Sequence, residues 1–311
     1  MNGKLNDPCW SSTAFSDPFG DIEGDVKPTP SFLTQAKVLW DDDYLYIGAK
    51  MEEPNVWATL TLRDSVIFQD NDFEIFIDPD GDSHNYYEIE INALNTVWDL
   101  RLPKPYKDGG SAIDSWDIEG LITAVAIDGK LNSPKTTCVG WTLEMAIPWK
   151  ALGEYAKCAS PPIPGDHWRI NFSRVEWKVD VVDGRFLKRP NLPEDNWVWS
   201  PQGAIDMHRP ERWGYLLFAD AETDSATGWT DPSHEARCWL TEIYYAQKSY
   251  FQLNGRYSGE LAHLQLSSIY GDIANPMLIR TEKGYIASVT LAGSGENEVW
   301  CIQDDSLIWK S

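Results

Sequence analysis

The residues that most sharply restrict function are scarce in this chain. Its five cysteines, Cys9, Cys138, Cys158, Cys238 and Cys301, show no CxxC or metal-finger spacing, which excludes a zinc module and a dense disulfide scaffold. Two bridges with one free thiol, or five reduced thiols, both fit that number, so the redox compartment stays open. Basic residues are few: 26 Lys and Arg against 48 Asp and Glu give a formal charge of −22. Unassisted binding to nucleic acid or an anionic membrane is thereby excluded, because phosphates demand clustered Lys and Arg. No apolar run approaches the ~18 residues of a membrane span. The N-terminus opens without the basic and apolar regions of a signal peptide. The five histidines, His84, His167, His208, His234 and His263, form no HxH or HExxH, and neither GxSxG nor a Walker sequence occurs, so metal hydrolysis and serine chemistry lack support.

Aromatic residues are abundant instead. Sixteen Trp and 13% aromatics in 311 residues exceed what a core of this size demands, so some ring faces are expected at a surface. With so acidic a chain, a neutral or cationic ligand suits that surface. Two stretches concentrate these residues: DNDFEIFIDPDGDSHNYYEIEINA from Asp70 to Ala93 and NWVWSPQGAIDMHRPERWGYLLF from Asn196 to Phe218. Flat aromatic faces beside planar hydrogen-bonding groups suit a sugar, whose C–H faces are apolar and whose hydroxyls need directed partners.

Strand signals run through the first two-thirds of the chain. Ala36–Trp40 and Tyr44–Glu52 flank an Asp41–Asp43 turn. Phe73, Ile75 and Ile77 alternate with Glu74, Phe76 and Asp78, and beyond DPDGD, Tyr87, Ile89 and Ile91 alternate with Glu88, Glu90 and Asn92. One face is expected to turn inward and the other to stay polar and solvated. Further runs begin at Val97, Leu121, Trp141, Trp168 and Trp213. The fold class is therefore mainly β, an antiparallel β-sandwich or jelly roll, with a small C-terminal α+β extension. Helical spacing of Trp239, Ile243, Ala246 and Tyr250 marks a helix from Pro232 to about Leu266, capped by Asp231 or Ser233 and broken near Asn254-Gly255. GYIASVTL, NEVWCI and DSLIWK follow as a small sheet. The expected division is 1–219 for the sandwich and 220–311 for the extension.

GKLNDPCW, KVLWDDDYLYIGAKMEEP, DNDFEIFIDPDGDSHNYYEIEIN, GWTLEMAIPW, INFSRVEW and WSPQGAIDMHRPERWGYLLF, in that order, resemble the carbohydrate-binding module family 9-like domains, DOMON-like β-sandwiches that occur beside xylanases and as separate proteins. The resemblance spans roughly residues 2 to 219. It implies a glycan-binding protein of polysaccharide utilisation, extracellular or periplasmic, that binds calcium and holds a poly- or oligosaccharide between two aromatic rings. Position by position it puts the first ring at Phe68, a hydroxyl acceptor at Glu74, a further contact at Asn92, the second ring at Trp199 and a polar partner at Asn196. Phe68 stands where better-known members carry Trp, so the sugar preference is not carried over.

The residues themselves add candidates. Trp197 and Trp199 lie two apart and share a face in an extended segment; Trp177 is a further ring. Arg101 can fork onto vicinal hydroxyls or onto a carboxylate, and Asn171 is a candidate polar contact. Asp78, Asp80 and Asp82 in the DPDGD turn resemble the opening of an oxygen-only calcium loop, without its closing Glu. The alternative function is a glycoside hydrolase drawing paired carboxylates from Glu74, Glu88, Glu90 and Glu144.

Overall fold

The alternating segments fold as strands. The structure, a computed structural model, describes residues 1–219, 229–267, 273–292 and 297–311. Two compact units are present, one made of Met1–Asp80, Asn85–Pro103 and Ala112–Phe218, the other of Gly81–His84, Lys104–Ser111 and Ala219–Ser311. The linker expected after Ala219 runs through residues 220–228, outside the described residues.

In chain order the first unit carries β1 (Gly20–Asp21), β2 (Thr34–Trp40), β3 (Tyr44–Glu52), β4 (Asp72–Asp78), β5 (Tyr86–Asn92), β6 (Val97–Leu102), β7 (Ile122–Asp128), β8 (Gly140–Pro148), β9 (His167–Glu176), β10 (Val179–Val182), β11 (Arg185–Lys188), β12 (Asp195–Val198) and β13 (Gly214–Leu217). A seven-stranded sheet runs β1-β12-β9-β4-β5-β6, with β13 also on β9, and a four-stranded sheet runs β2-β3-β8-β7. Every pairing is antiparallel. Ile47, Ala49 and Met51 of β3 and Leu143, Met145 and Ile147 of β8 meet Phe73, Ile75 and Ile77 of β4 and Ile89 and Ile91 of β5 in one core. Each Ile, Leu, Met or Phe among them contributes about 1.5–3 kcal/mol by leaving water. The β-sandwich read from the sequence is the observed fold.

Polar groups also join the two sheets. Arg174 of β9, 1% exposed, points into the core and bonds Glu53 (2.9 Å) and Glu176 (2.8 Å) through Nη2 and Thr34 Oγ1 (3.0 Å) through Nη1. On the far face of the four-stranded sheet, the buried Glu144 accepts the backbone N–H of Asn2 (2.7 Å), Gly3 (2.9 Å) and Leu5 (3.0 Å). Gly3 is required there: its φ is +78° and a Cβ would lie 2.5 Å from the Val125 carbonyl carbon.

The second unit packs the helix His234–Asn254 on a sheet of β14 (Ile273–Arg280), β15 (Tyr285–Leu291), β16 (Glu298–Gln303) and β17 (Ile308–Lys310). Trp239, Leu240, Ile243 and Tyr244 bury one helical face in its core. The helix stops at Gly255, left-handed at φ +66°, whose N–H returns to Phe251 O, which is the break expected at Asn254-Gly255; the helical spacing out to Leu266 is not continued as one helix. Asp231 accepts the Ser233 N–H (2.8 Å) and hydroxyl (2.6 Å) before the first turn. Strand β14 was not expected, because Pro276 breaks its pattern. It is an edge strand with a register shift between Ala274 and Met277, where proline is tolerated. No two of the five cysteines are joined by a disulfide.

Candidate functional site

The outward face of the seven-stranded sheet departs from expectation. On β4, alternation turns Phe73 and Ile75 inward and Asp72 and Glu74 outward. Register then sets Glu74 between Glu90 of β5 and Ser173 of β9, and Asp72 between Asn92 and Val175. A solvated polar surface was expected, yet Asp72, Glu74, Glu88 and Glu90 are 0%, 5%, 5% and 2% exposed. The loop before β4 reaches this face at Glu90, whose Oε2 accepts the Phe68 N–H at 2.8 Å, while His208 Nε2 lies 3.9 Å from Glu88 Oε2. Asp70 pins that loop, accepting Thr59 N–H (2.7 Å), Thr59 O–H (2.8 Å) and Leu60 N–H (2.8 Å).

Crowding of like charge out of water raises every proton affinity here. Burial pushes Glu74 up to about 7; the Ser173 hydroxyl opposes this, and the negative charge of Glu194 adds to it. Ser173 Oγ is felt by that carboxylate without reaching hydrogen-bond geometry with it. Burial first, then the charge of Glu74, holds Asp72, Glu88 and Glu90 well above the usual carboxylate range.

Aromatic rings border this acidic floor. Trp177, half-buried just past β9, donates its indole N–H to Phe68 O (2.8 Å) and its backbone N–H to Asn71 Oδ1 (2.7 Å), so Phe68 and Trp177 are neighbours. Lys188, at the end of the β10–β11 hairpin, sits 3.6 Å from the Trp177 ring centroid and 3.3 Å from Gln69 Oε1. Its burial lowers the ammonium pKa. Trp98 lies directly across from Glu90, and its buried indole N–H has no partner among the described residues. Asn196, opposite Val175, is half-buried on the same outward face. Rings, an unpaired donor and carboxylates together supply what a polyhydroxylated ligand requires.

Several expected contacts serve the fold instead. Trp197 and Trp199 do share a face, but it is the inner one: Trp197 is 4% exposed in the core. Trp199 leans on Phe172 (centroids 5.9 Å apart) and on Gly214. Phe68 and Trp199 therefore belong to opposite faces of the sheet, and Trp177 is the aromatic residue bonded to Phe68. Asn92 is fully buried and donates to Leu60 O (2.9 Å) and Asp70 Oδ2 (3.0 Å). Asn171, also fully buried, joins β9 to Ser200 through both its amide atoms (2.8 and 2.9 Å). Arg101 bonds Asn85 (2.7 Å) and stacks on Tyr155 (3.8 Å). Glu144 belongs to the other sheet and cannot pair with Glu74 in catalysis. The expected cation set is not among these: Asp78, Asp80 and Asp82 each bring a carboxylate oxygen within 4.8 Å of the other two, while Asp80 also accepts the Lys157 N–H (3.0 Å) and Asp82 the His84 N–H (2.8 Å).

Asp72, Trp98 and Lys188 were missed in the sequence. Lys188 had a signal: VDVV and RFLK flank Asp183-Gly184, both at positive φ, the strongest short hairpin mark. A separate concavity of about 700 Å³ is lined by Trp116, Asp117, Trp149, Lys150 and Glu154. Its two Trp rings belong to the core, so it offers no platform.

A two-sheet antiparallel sandwich with an aromatic-rimmed polar face defines a ligand-binding β-sandwich. The chain belongs to the carbohydrate family 9 binding domain-like family, whose model matches residues 1–162. It is 27% identical over 119 residues to exoglucanase XynX of Acetivibrio thermocellus, an alignment covering 38% of this chain and 9% of that protein; the chain thus spans under a tenth of that relative's length. Among solved structures, a family 9 carbohydrate-binding module of Caldicellulosiruptor kristjanssonii in complex with cellotriose aligns at TM-score 0.45 and 18% identity, over 75% of this chain and 94% of that one. The module from that organism in complex with glucose aligns at TM-score 0.46 and 16% identity, over 71% and 92%.

Proposed function

We propose that this chain is a non-catalytic glycan-binding module of polysaccharide degradation, acting outside the cytoplasm, with the sugar on the outward face of the seven-stranded sheet. Membership of a carbohydrate-binding family supports the ligand class. The observation that carries the location is the Phe68–Trp177 neighbourhood above Glu74, with the unpaired Trp98 indole N–H beside it. Each ring contributes about 1 kcal/mol beyond area burial when it stacks on a sugar, and the half-buried Asn196 amide accepts from or donates to a hydroxyl. Two rings and a few hydrogen bonds suffice for micromolar affinity. Hydrolysis is disfavoured because Glu74, Glu88 and Glu90 are almost wholly buried, while Glu144, on the other sheet, holds the N-terminal segment.

The test is affinity electrophoresis and calorimetry against a polysaccharide panel beginning with glucans, since the chain aligns to part of an exoglucanase. Trp177→Ala should weaken retention about tenfold, the effect of roughly 1.4 kcal/mol. Trp199→Ala should lower stability and leave affinity within twofold. Retention unchanged in Trp177→Ala and lost in Trp199→Ala would overturn the assignment, and so would release of new reducing ends.

A further inference from the structure

We propose, on the strength of the sugar site assigned above, that Lys188 is its positioning residue: the ammonium sets the plane of the Trp177 ring and ties it to the loop that carries Phe68. The turn of the β10–β11 hairpin begins the arrangement. Asp183 and Gly184, both at positive φ, close a two-residue turn whose pairing runs from Val182–Arg185 to Val179–Lys188, and such a turn fixes register. The ladder continues one step further, since the Arg189 N–H donates to Lys178 O at 2.8 Å. Side chains alternate along each strand, so Lys188 shares a face with Val179 and with Trp177 two residues before it. Lys178 and Arg189 take the other face.

Contacts set Lys188 apart from these two basic neighbours. Lys178 pairs with Asp195 (3.3 Å) and Arg189 with Asp180 (2.8 Å). Lys188 instead lies 3.6 Å from the Trp177 ring centroid and 3.3 Å from Gln69 Oε1, and Gln69 directly follows Phe68. No Asp or Glu among the described residues forms an ion pair with it, in a chain of 48 acidic residues. Burial lowers its proton affinity, against the pull of Asp70, Glu194 and Asp72. A cation partly withdrawn from water is held more strongly by an indole face than an exposed one.

The ring needs this third hold. Its indole N–H reaches Phe68 O and the Trp177 backbone N–H reaches Asn71 Oδ1, which anchors the residue at one edge and leaves the indole free to tilt about that edge. A cation against the face removes the tilt before a sugar arrives, and ordering done in advance is not charged to binding. Because the hairpin pairs only with itself among the described residues, losing the ammonium acts on the site and spares the core.

The full chain is labelled with 5-fluorotryptophan, and Trp177→Phe assigns the Trp177 resonance. Without sugar, that resonance should move with pH as Lys188 gives up its proton, with a midpoint below the ordinary lysine value. It should not titrate in Lys188→Met, which keeps the stem and drops the charge. Calorimetry with a glycan that the wild type retains should show Lys188→Met weaker by about threefold to tenfold, and Lys188→Arg within about twofold of wild type. Lys178→Met, on the other face, should bind as the wild type does, and all three variants should keep its melting temperature. A Trp177 resonance that does not titrate in the wild type, or titrates equally in Lys188→Met, would overturn the positioning role. So would equal or tighter binding by Lys188→Met beside a wild type that binds, an outcome that leaves the sugar site standing. A wild type retained by no glycan removes the sugar site, and the role of Lys188 falls with it.

Discussion

Replacing Arg174 by Met should be among the most damaging single changes in the first unit. The methionine keeps most of the stem but removes the guanidinium bonded to Glu53, Glu176 and Thr34 at 2.9, 2.8 and 3.0 Å. It also removes the cation 5.1 Å from the Trp197 ring centroid. Two buried carboxylates then remain side by side, sharing only the Asn71 amide at 3.1 and 3.0 Å. Breaking a buried ion pair from one side costs about 3–5 kcal/mol, whereas replacing the whole polar set by apolar groups of similar volume is near neutral. Arg174→Met should therefore cost about 3–5 kcal/mol, and adding Glu53→Met and Glu176→Leu should restore at least half of it. Burial already holds Glu176 well above the usual carboxylate range, with Arg174 opposing. Once Arg174 is gone its proton affinity rises further, so the penalty should shrink as pH falls and Glu176 becomes neutral. Urea unfolding followed by tryptophan fluorescence, at pH 8 and pH 5, measures both effects. A single-mutant cost under 1 kcal/mol, or no recovery in the triple variant, would refute the claim that uncompensated charge dominates there.

Two further outcomes follow from the same physics. Glu144→Gln keeps the size of the side chain, but its NH2 cannot accept, so at least one of the bonds from the Asn2, Gly3 and Leu5 amides is lost and the rest lose their charge assistance; it should cost about 2–4 kcal/mol and expose the N-terminal segment to hydrogen exchange, while protection equal to the wild type would contradict the anchoring role. In chelator, burial raises Glu74 from 4.5 to about 7, so the folded state holds this proton more tightly than the unfolded chain. Its stabilisation is full below pH 4.5 and is lost as pH rises through about 7, at up to about 1.4 kcal/mol per pH unit within that window. Melting temperature should fall across the window, Glu74→Gln should flatten the slope, and identical slopes would count against the buried-carboxyl assignment.

The sandwich was legible because strands such as Phe73-Glu74-Ile75 and Ile89-Glu90-Ile91 alternate cleanly, and alternation fixes which side chains share a face. It does not say what covers that face. Glu74 and Glu90 were thus read as solvated although both are buried, and Trp197 and Trp199 were correctly grouped but offered as ligand contacts. Partners far apart in the chain were out of reach as well. Asn171 meets Ser200 across 29 positions and Glu144 meets Asn2 across 142, and no local pattern in the sequence signals either bond. Phe68 and Glu74 came from family resemblance, and the structure adds Trp177 beside them.

Among the described residues the β10–β11 hairpin pairs only with itself, and it delivers Lys188 to the edge of the acidic face. An isolated two-stranded ribbon has little stability of its own, and lengthening a surface turn costs only a slowly growing closure entropy. Residues 179–188 can therefore be lengthened, shortened or recoloured in charge while both sheets keep their packing. For protein engineers that makes this ribbon the natural place to graft new selectivity, since a library built there draws on none of the stability held between the sheets.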